Sequence, residues 1–365
     1  MEKRHSVKLV SASFNEQSGT GILEYGVRLA KTLLAQKCNF DFYIHSILKG
    51  NILRVPKKLY KSWDTSKDIK VPDIVHYMDP GFIAADAIFR RFRLRKSKVV
   101  VTLHDLDMFN KVRGGLKLAT KYSNIFAILK KPGPAVLTPF AILIRSFTTK
   151  YVINHASKFI CVSEKTRDEV IRQFNIIPDR CAVVYPIVGK EFKPARAKKP
   201  HSKFVVGHFS SYLPNKNAGA LISAFKKTKS KNIELHLYGG ALPFKINDDK
   251  RIKYFGFFPT QKSPAIFNSF DVFVFPSAWE GFGMPIMEAK RCKIPVITYA
   301  GAELPDIVKR NTLQFKNEAH LTRLLEQMAW TNVNVEKAYK DTLHCQENYV
   351  AKQMINLYTG LLDEK

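Results

Sequence analysis

Short, almost continuous apolar runs that alternate with stretches of helical period leave a chain few ways to bury itself. Val99-Val-Val-Thr-Leu103 is the plainest run, and others lie at residues 8–14, 41–46, 74–78, 159–162 and 182–185. Between the first two, Ile22, Leu23, Val27, Leu29, Ala30, Leu33 and Leu34 recur with helical spacing. Strand, helix, strand in this order predicts a parallel, doubly wound α/β sheet. A second series begins at 204–209. It continues with a helix near 218–227, strands at 234–238 and 253–257, a helix near Ile266, the strand Val272–Phe275 and a last run at 295–299.

At 365 residues the chain is long enough for two full cores. Residues 191–203 are polar, charged and carry Pro194 and Pro200, which reads as an interdomain linker. The expected organisation is a first Rossmann-like domain over 1–190, the linker, a second domain over 204–345, and a helix over 346–365 that packs back on the first. Two α/β halves of similar size bury a cleft between them, a preferred ligand location.

The formal charge of +28 is uneven: residues 1–190 hold 33 Lys and Arg against 15 Asp and Glu. From Met108 to Ser163 there is no acidic residue, while nine Lys and Arg occur among Phe, Ile and Leu. Such a stretch is either a solvated basic face or a surface that meets polyanions, with anionic lipid, nucleic acid and nucleotide as candidates. The five cysteines have no paired or metal-ligand spacing, which suits a reducing compartment. No apolar leader follows Met1, and the longest apolar stretch, 134–147, is too short to span a bilayer. The expected location is cytoplasmic, on or near the inner face of a membrane.

The candidate site lies in residues 275–301. After the apolar run Val272–Phe275 comes a loop with Glu280, Gly281 and Gly283, then Pro285, suited to the first turn of a helix, and Glu288 near that helix's start. Strand, glycine loop and helix N-terminus together expose backbone N–H groups to an anion or a hydroxyl. Two carboxylates beside such a loop can accept hydrogen bonds from sugar hydroxyls. In the first half, Gly19 and Gly21 form a loop that is not a dinucleotide fingerprint, because the third glycine position holds Glu24. That loop is either a tight turn or one that touches phosphate or acceptor. His104 follows the run 99–103 directly, where such sheets bind ligands; a strand-end histidine bonded to backbone is the alternative. Asp105-Leu-Asp107 spells a triplet that can hold a metal with a diphosphate, or else caps the next turn.

With these residues in order, the chain resembles the retaining glycosyltransferases of GT-B fold that carry a Glu, seven residues, Glu motif (group 1, family 4). Glu280 and Glu288 have that spacing, with Gly281-Phe282-Gly283 and Pro285 between. Residues 159–169 are similar to the family's strand and helix ahead of its linker, Leu103-His104-Asp105 to its strand-end histidine, and Pro214-Asn215-Lys216-Asn217 to its phosphate-binding lysine segment. The resemblance covers most of the chain.

It implies a GT-B protein of two Rossmann-like domains facing a cleft, moving a sugar from a UDP- or GDP-sugar to a hydroxyl acceptor. Glu280 and the amides of Gly281, Phe282, Gly283 and Met284 would hold the donor sugar, Glu288 the ribose hydroxyls, and Lys216 the diphosphate. His104 would face the sugar from the other domain, Gly19 and Gly21 would lie near diphosphate or acceptor, and Phe257 and Phe258 near the base. No metal or other cofactor is implied, since cationic side chains and helix dipoles take the charge of the leaving group. The acid-free basic stretch favours a lipid-linked or glycan acceptor. The chain departs from the family pattern at Ser211, where an arginine is expected five residues before the lysine; a serine offers one neutral hydrogen bond instead of a permanent cation. Other readings stay open: another GT-B nucleotide-sugar enzyme such as an epimerase, a catalytically silent scaffold, or a basic nucleic-acid-binding protein or DNA glycosyltransferase. Against the last, no helix-turn-helix, finger or aromatic RNA-binding signature is present.

Overall fold

The computed structural model describes residues 4–11, 21–46, 71–78, 97–104, 152–196, 202–246 and 248–364. The chain forms two compact units: Met1–Ile187 together with Glu347–Lys365, and Val188–Gln346. The acid-free stretch, Asp105, Asp107 and Gly19 lie outside the described residues, apart from 152–163 at the end of that stretch.

The first unit contains β1 (His5–Ser11), α1 (Gly21–Leu34), β2 (Phe40–Ser46), β3 (Ile74–Tyr77), β4 (Lys98–Leu103), β5 (Lys158–Cys161), α2 (Glu164–Phe174) and β6 (Cys181–Val183). Its sheet is parallel throughout, in the order β2-β1-β3-β4-β5-β6. Strand periodicity sends alternate side chains to opposite faces. Val7, Leu9, Ile74, Val100 and Ile160 therefore meet Leu29, Ala30 and Leu33 of α1. Val10, Val75, Val99, Val101 and Leu103 fill the other side with Val170 of α2. Both faces are covered, so most strand positions are apolar.

The last helix of the chain (Glu347–Asp363) completes the first of these faces with Val350, Met354, Tyr358 and Leu361. Tyr358 also reaches a polar file inside the core. Its hydroxyl lies 2.7 Å from His76 Nδ1, His76 Nε2 lies 2.8 Å from Thr102 Oγ1, and Tyr25 Oη closes the file 3.3 Å from the same oxygen. Burial pushes the His76 pKa down to about 3, helped by the charge of His104, and pushes Tyr25 up to about 12. Tyr358 is raised well above the usual phenol range, again by burial. The file is neutral, and each hydroxyl in it has a partner, as buried polar groups require.

The second unit holds β7 (Phe204–Ser210), α3 (Ala218–Lys226), β8 (Ile233–Gly239), β9 (Ile252–Tyr254), α4 (Ser263–Asn268), β10 (Val272–Phe275), α5 (Met284–Arg291), β11 (Val296–Tyr299), α6 (Asp306–Lys309), β12 (Leu313–Phe315), α7 (Glu318–Glu326) and α8 (Val335–Asp341). The final helix of the first unit is α9 in this numbering. The second sheet is also parallel, ordered β12-β11-β10-β7-β8-β9. Strand order reverses between β7 and β10, and that reversal is the point where open α/β sheets take ligands. One face of this sheet buries Val206, Leu235, Val272 and Val274 under Leu221 and Phe225 of α3. The other is paved with Phe209, Phe267, Phe270 and Phe273, whose ring centroids lie 4.6–6.4 Å apart. Gly207 is obligatory here: a Cβ would stand 2.2 Å from the Phe270 ring.

Lys290 is fully buried and gives its ammonium to the Ile307 and Arg310 carbonyls and, at 2.9 Å, to Asp341. Asp341 also accepts from Arg310 and Asn311. This cluster lashes α5 to α8 and to the end of α6.

Part of the stretch read as a linker packs on the second unit. Phe192 is buried against Phe267, the Ala195 amide donates to Asn268 Oδ1 at 2.8 Å, and Asn268 Nδ2 donates to the Lys193 carbonyl. Among the described residues no helix is long and apolar enough to cross a membrane.

Candidate functional site

The loops after β7 and β10 flank the strand-order reversal. After β7 the chain makes a 3-10 turn at Pro214–Lys216 and enters α3 through Asn217, which takes the left-handed conformation at φ 50°. After β10 it runs through Pro276 and Ser277 to Glu280, then Gly281, Phe282 and Gly283, and starts α5 at Met284 with Pro285 in the first turn. Gly283 has φ 108°, and a Cβ there would lie 3.1 Å from Val308 Cγ1, so both conformation and space call for glycine.

Backbone bonds hold this loop from two sides. The Ala278 amide donates to the Asn215 carbonyl at 2.8 Å, the Glu303 amide donates to the Ala278 carbonyl at 2.8 Å, and the Glu280 amide to the Glu303 carbonyl at 3.3 Å. The result places two residues 64 positions apart side by side. Lys216 Nζ donates to both carboxylate oxygens of Glu280, at 2.7 and 2.9 Å, and Ser277 Oγ donates to Glu280 at 2.7 Å. Both side chains are mostly shielded from solvent, 20% and 15% exposed. The ammonium also lies 5.9 Å from the Phe275 ring centroid. Glu288, on the first turns of α5, is 8% exposed.

Ser211 lies on the exposed part of the β7 loop. Phe258 packs edge-on to Phe209 and Tyr238, and Phe257, which is 71% exposed, stacks on it at 6.5 Å. In the first unit Gly21 opens α1, and His104 ends β4 with Nε2 2.9 Å from the Met78 carbonyl and its ring 4.7 Å from Tyr25, edge to face. His104 thus has a backbone bond at Nε2, as weighed for a strand-end histidine. Among the described residues no group of three His, Cys, Asp or Glu could hold a metal ion.

Two side chains of the second unit were not anticipated as site residues. Ser277 is one; its distance of three residues from Glu280 is the signal that would have found it. The other is His208, near the end of β7. Its Nδ1 donates to the Val274 carbonyl at 2.9 Å, while Nε2 is buried without a hydrogen-bond partner among the described residues. Burial lowers its pKa to about 4; the Val274 bond opposes that shift and the Lys216 charge adds to it.

Chemically, the second unit offers a cation, a carboxylate, a glycine loop leading into a helix N-terminus and aromatic rings around one strand reversal. This is the equipment for a phosphorylated, hydroxylated ligand. Solved structures give the fold. HepE of Anabaena, in complex with UDP and glucose, superposes with a TM-score of 0.67 over 98% of this chain and 100% of that one, at 16% identity. Two parallel six-stranded sheets in an α/β chain of this kind are the GT-B architecture. Residues 3–191 match the model of Glycosyltransferase Family 4 and residues 189–330 that of Glycosyl transferases group 1, and the chain belongs to that glycosyltransferase family. It is 24% identical over 233 residues to the O-antigen chain mannosyltransferase B of Escherichia coli, covering 56% of this chain and 61% of that protein. It is 20% identical over 236 residues to the phosphatidylinositol N-acetylglucosaminyltransferase GPI3 subunit of Saccharomyces cerevisiae, over 58% and 52%. The chain thus spans between half and two thirds of the length of these curated relatives.

Proposed function

We propose that this protein is a retaining hexosyltransferase that moves a sugar from a UDP- or GDP-sugar to the hydroxyl of a lipid-linked or glycan acceptor. The observation that carries the reading is the Lys216–Glu280–Ser277 cluster at the strand reversal of the second unit. On this reading the second unit binds the donor and the first unit contributes acceptor binding and His104. Lys216 turns to the diphosphate, Glu280 accepts from sugar hydroxyls, the amides of residues 281–284 cap the developing charge, and Glu288 takes the ribose. Gly21 and Gly19 border the diphosphate or acceptor, Ser211 adds a neutral hydrogen bond, and Phe258 edges the base.

The chemistry balances without an enzyme nucleophile. The bond from the anomeric carbon to the β-phosphate oxygen breaks through an oxocarbenium-like state. The acceptor oxygen bonds to the same face, and its proton leaves with the phosphate oxygen. Glu280 orients and Lys216 stabilises; neither serves as the general base. Resident metal is not required, because Lys216 and the α5 N-terminus supply the positive charge. The relatives named for O-antigen and phosphatidylinositol support a lipid-linked acceptor, and the acid-free basic stretch supports attachment to an anionic membrane surface from the cytoplasmic side.

Calorimetry with a panel of nucleotide sugars finds the donor, and NMR of the product reads the anomeric configuration. Glu280→Gln should then lower kcat by roughly 10²–10³-fold with an unchanged melting temperature. A variant that turns over at the wild-type rate, or a product of inverted configuration, removes the corresponding part of the reading.

A further inference from the structure

His208 has no role in the reading above, yet it is the most conspicuous unsatisfied group of the second unit. It sits at the strand reversal itself: Val206 and Gly207 of β7 pair with Val272 and Phe273 of β10, and the next residue along β7 gives its Nδ1–H to Val274. Phe275, one residue further along β10, lies under the Lys216 ammonium. β7 ends two residues beyond His208 and leads into the loop that carries Lys216, and Tyr212 of that loop stands 5.9 Å from the imidazole, edge to face. The ring is 1% exposed.

A carbonyl only accepts, so the hydrogen on Nδ1 is fixed by Val274, and the neutral ring presents a bare lone pair at Nε2. That atom is buried and has nothing to accept from among the described residues. A single protonation state lets both nitrogens be used as donors, the imidazolium, and it needs an anion at Nε2. The neighbouring cation shares its charge with a carboxylate. Lys216 is held by two bonds to Glu280, and Ser211 supplies no charge where one is expected.

Resting on the donor-binding reading, we propose that His208 is part of the diphosphate site: it takes up a proton when a nucleoside diphosphate binds and donates Nε2–H to a phosphate oxygen, keeping Nδ1–H on Val274. Binding is then a coupled step in which the ligand brings the negative charge and solvent brings the proton. The groups that face the ring fit this. Burial above all, with the Lys216 charge adding to it, favours the neutral histidine, and the Tyr212 phenol, raised above its ordinary range by burial, stays protonated and uncharged. β10 gives the ring the Val274 carbonyl, and α3 covers this face with Ala218, Leu221 and Ile222, none of them titratable. An opposite charge at short range favours the protonated ring, so the affinity for the diphosphate should rise as the pH falls from 8 to 6.

The test is calorimetric titration of the full chain with UDP and with GDP in buffers of different ionisation enthalpy, corrected by titrating each nucleotide alone. Wild type should take up close to one proton per nucleotide at pH 6.5. His208→Gln, whose side chain keeps a neutral donor, should bind about tenfold more weakly and lose the uptake, with the melting temperature reporting that it is folded. Should the glutamine variant not fold, wild type decides alone: uptake beyond the nucleotide's own ionisation supports the assignment, and binding without it overturns it. Equal uptake in wild type and a folded His208→Gln also overturns it, with the donor-binding reading left intact. If neither nucleotide binds wild type, both readings fall.

Discussion

The buried polar file of the first sheet is neutral and closed on itself, whereas the Lys216–Glu280 pair beside the strand reversal of the second is charged and held together. In the first unit Tyr358, His76, Thr102 and Tyr25 form a file in which burial has removed every charge. In the second, Lys216 grips Glu280 by two bonds, and Lys290 meets Asp341 deeper in the core. A neutral file fixes geometry and offers a ligand nothing; an ion pair in a loop can exchange one partner for an arriving phosphate. On the proposed function, the contrast separates a file that holds the fold from a pair that meets the donor.

The comparison breaks most visibly at the buried charges. Asp341→Ala leaves the Lys290 ammonium buried and unpaired, and chemical denaturation should record a loss of about 3–5 kcal/mol in the second unit. A loss below 1 kcal/mol would mean that Lys290 escapes to solvent and the cluster is not a fixed lash. The neutral file has the same sign of pH dependence as a paired carboxylate, in a window that opens at higher pH. His76 has a folded pKa of about 3, below the ordinary 6.5, so the unfolded chain binds the extra proton. Its contribution is complete above pH 6.5 and falls as the pH drops towards 3, by about 1.4 kcal/mol per pH unit. Denaturation of wild type at pH 7 and 5 should differ by about 2 kcal/mol more than it does in His76→Gln. The smallest effect is expected for Tyr358→Phe, which deletes one hydroxyl and leaves the ring in the core. A cost of about 1–2 kcal/mol, with faster hydrogen exchange in α9, would mark the hydroxyl as the polar anchor of that helix.

Much of the architecture was legible because a strand covered on both faces carries apolar residues at every position. Val99 to Leu103 and Val272–Phe275 announce themselves for that reason. The strand Leu313-Gln-Phe315 does not, having three residues and no run to notice. Phe192 sits among charged neighbours in the stretch read as linker, and nothing local in the sequence signals that its ring meets Phe267. At the site, the glycine loop and both glutamates were visible as a pattern, but no spacing rule brings Lys216 to Glu280; loop backbone bonds from Asn215 and Glu303 do that. Thr102 looked like any strand residue. Its partner His76 is 26 positions away and Tyr358 lies a further helix at the chain's far end, so a buried polar file made of single residues from four elements leaves no local trace.

The placement of α9 has a consequence for how the chain comes off the ribosome. One face of the first sheet is not closed until Val350, Met354, Tyr358 and Leu361 have been made, after the whole of residues 188–346. The middle of the chain can therefore acquire its native core while the beginning still waits for the end, the reverse of the usual order in which the first domain translated is the first to fold. During that interval Leu9, Ile74 and Val100 have an incomplete cover, and that apolar face is open to chaperone capture.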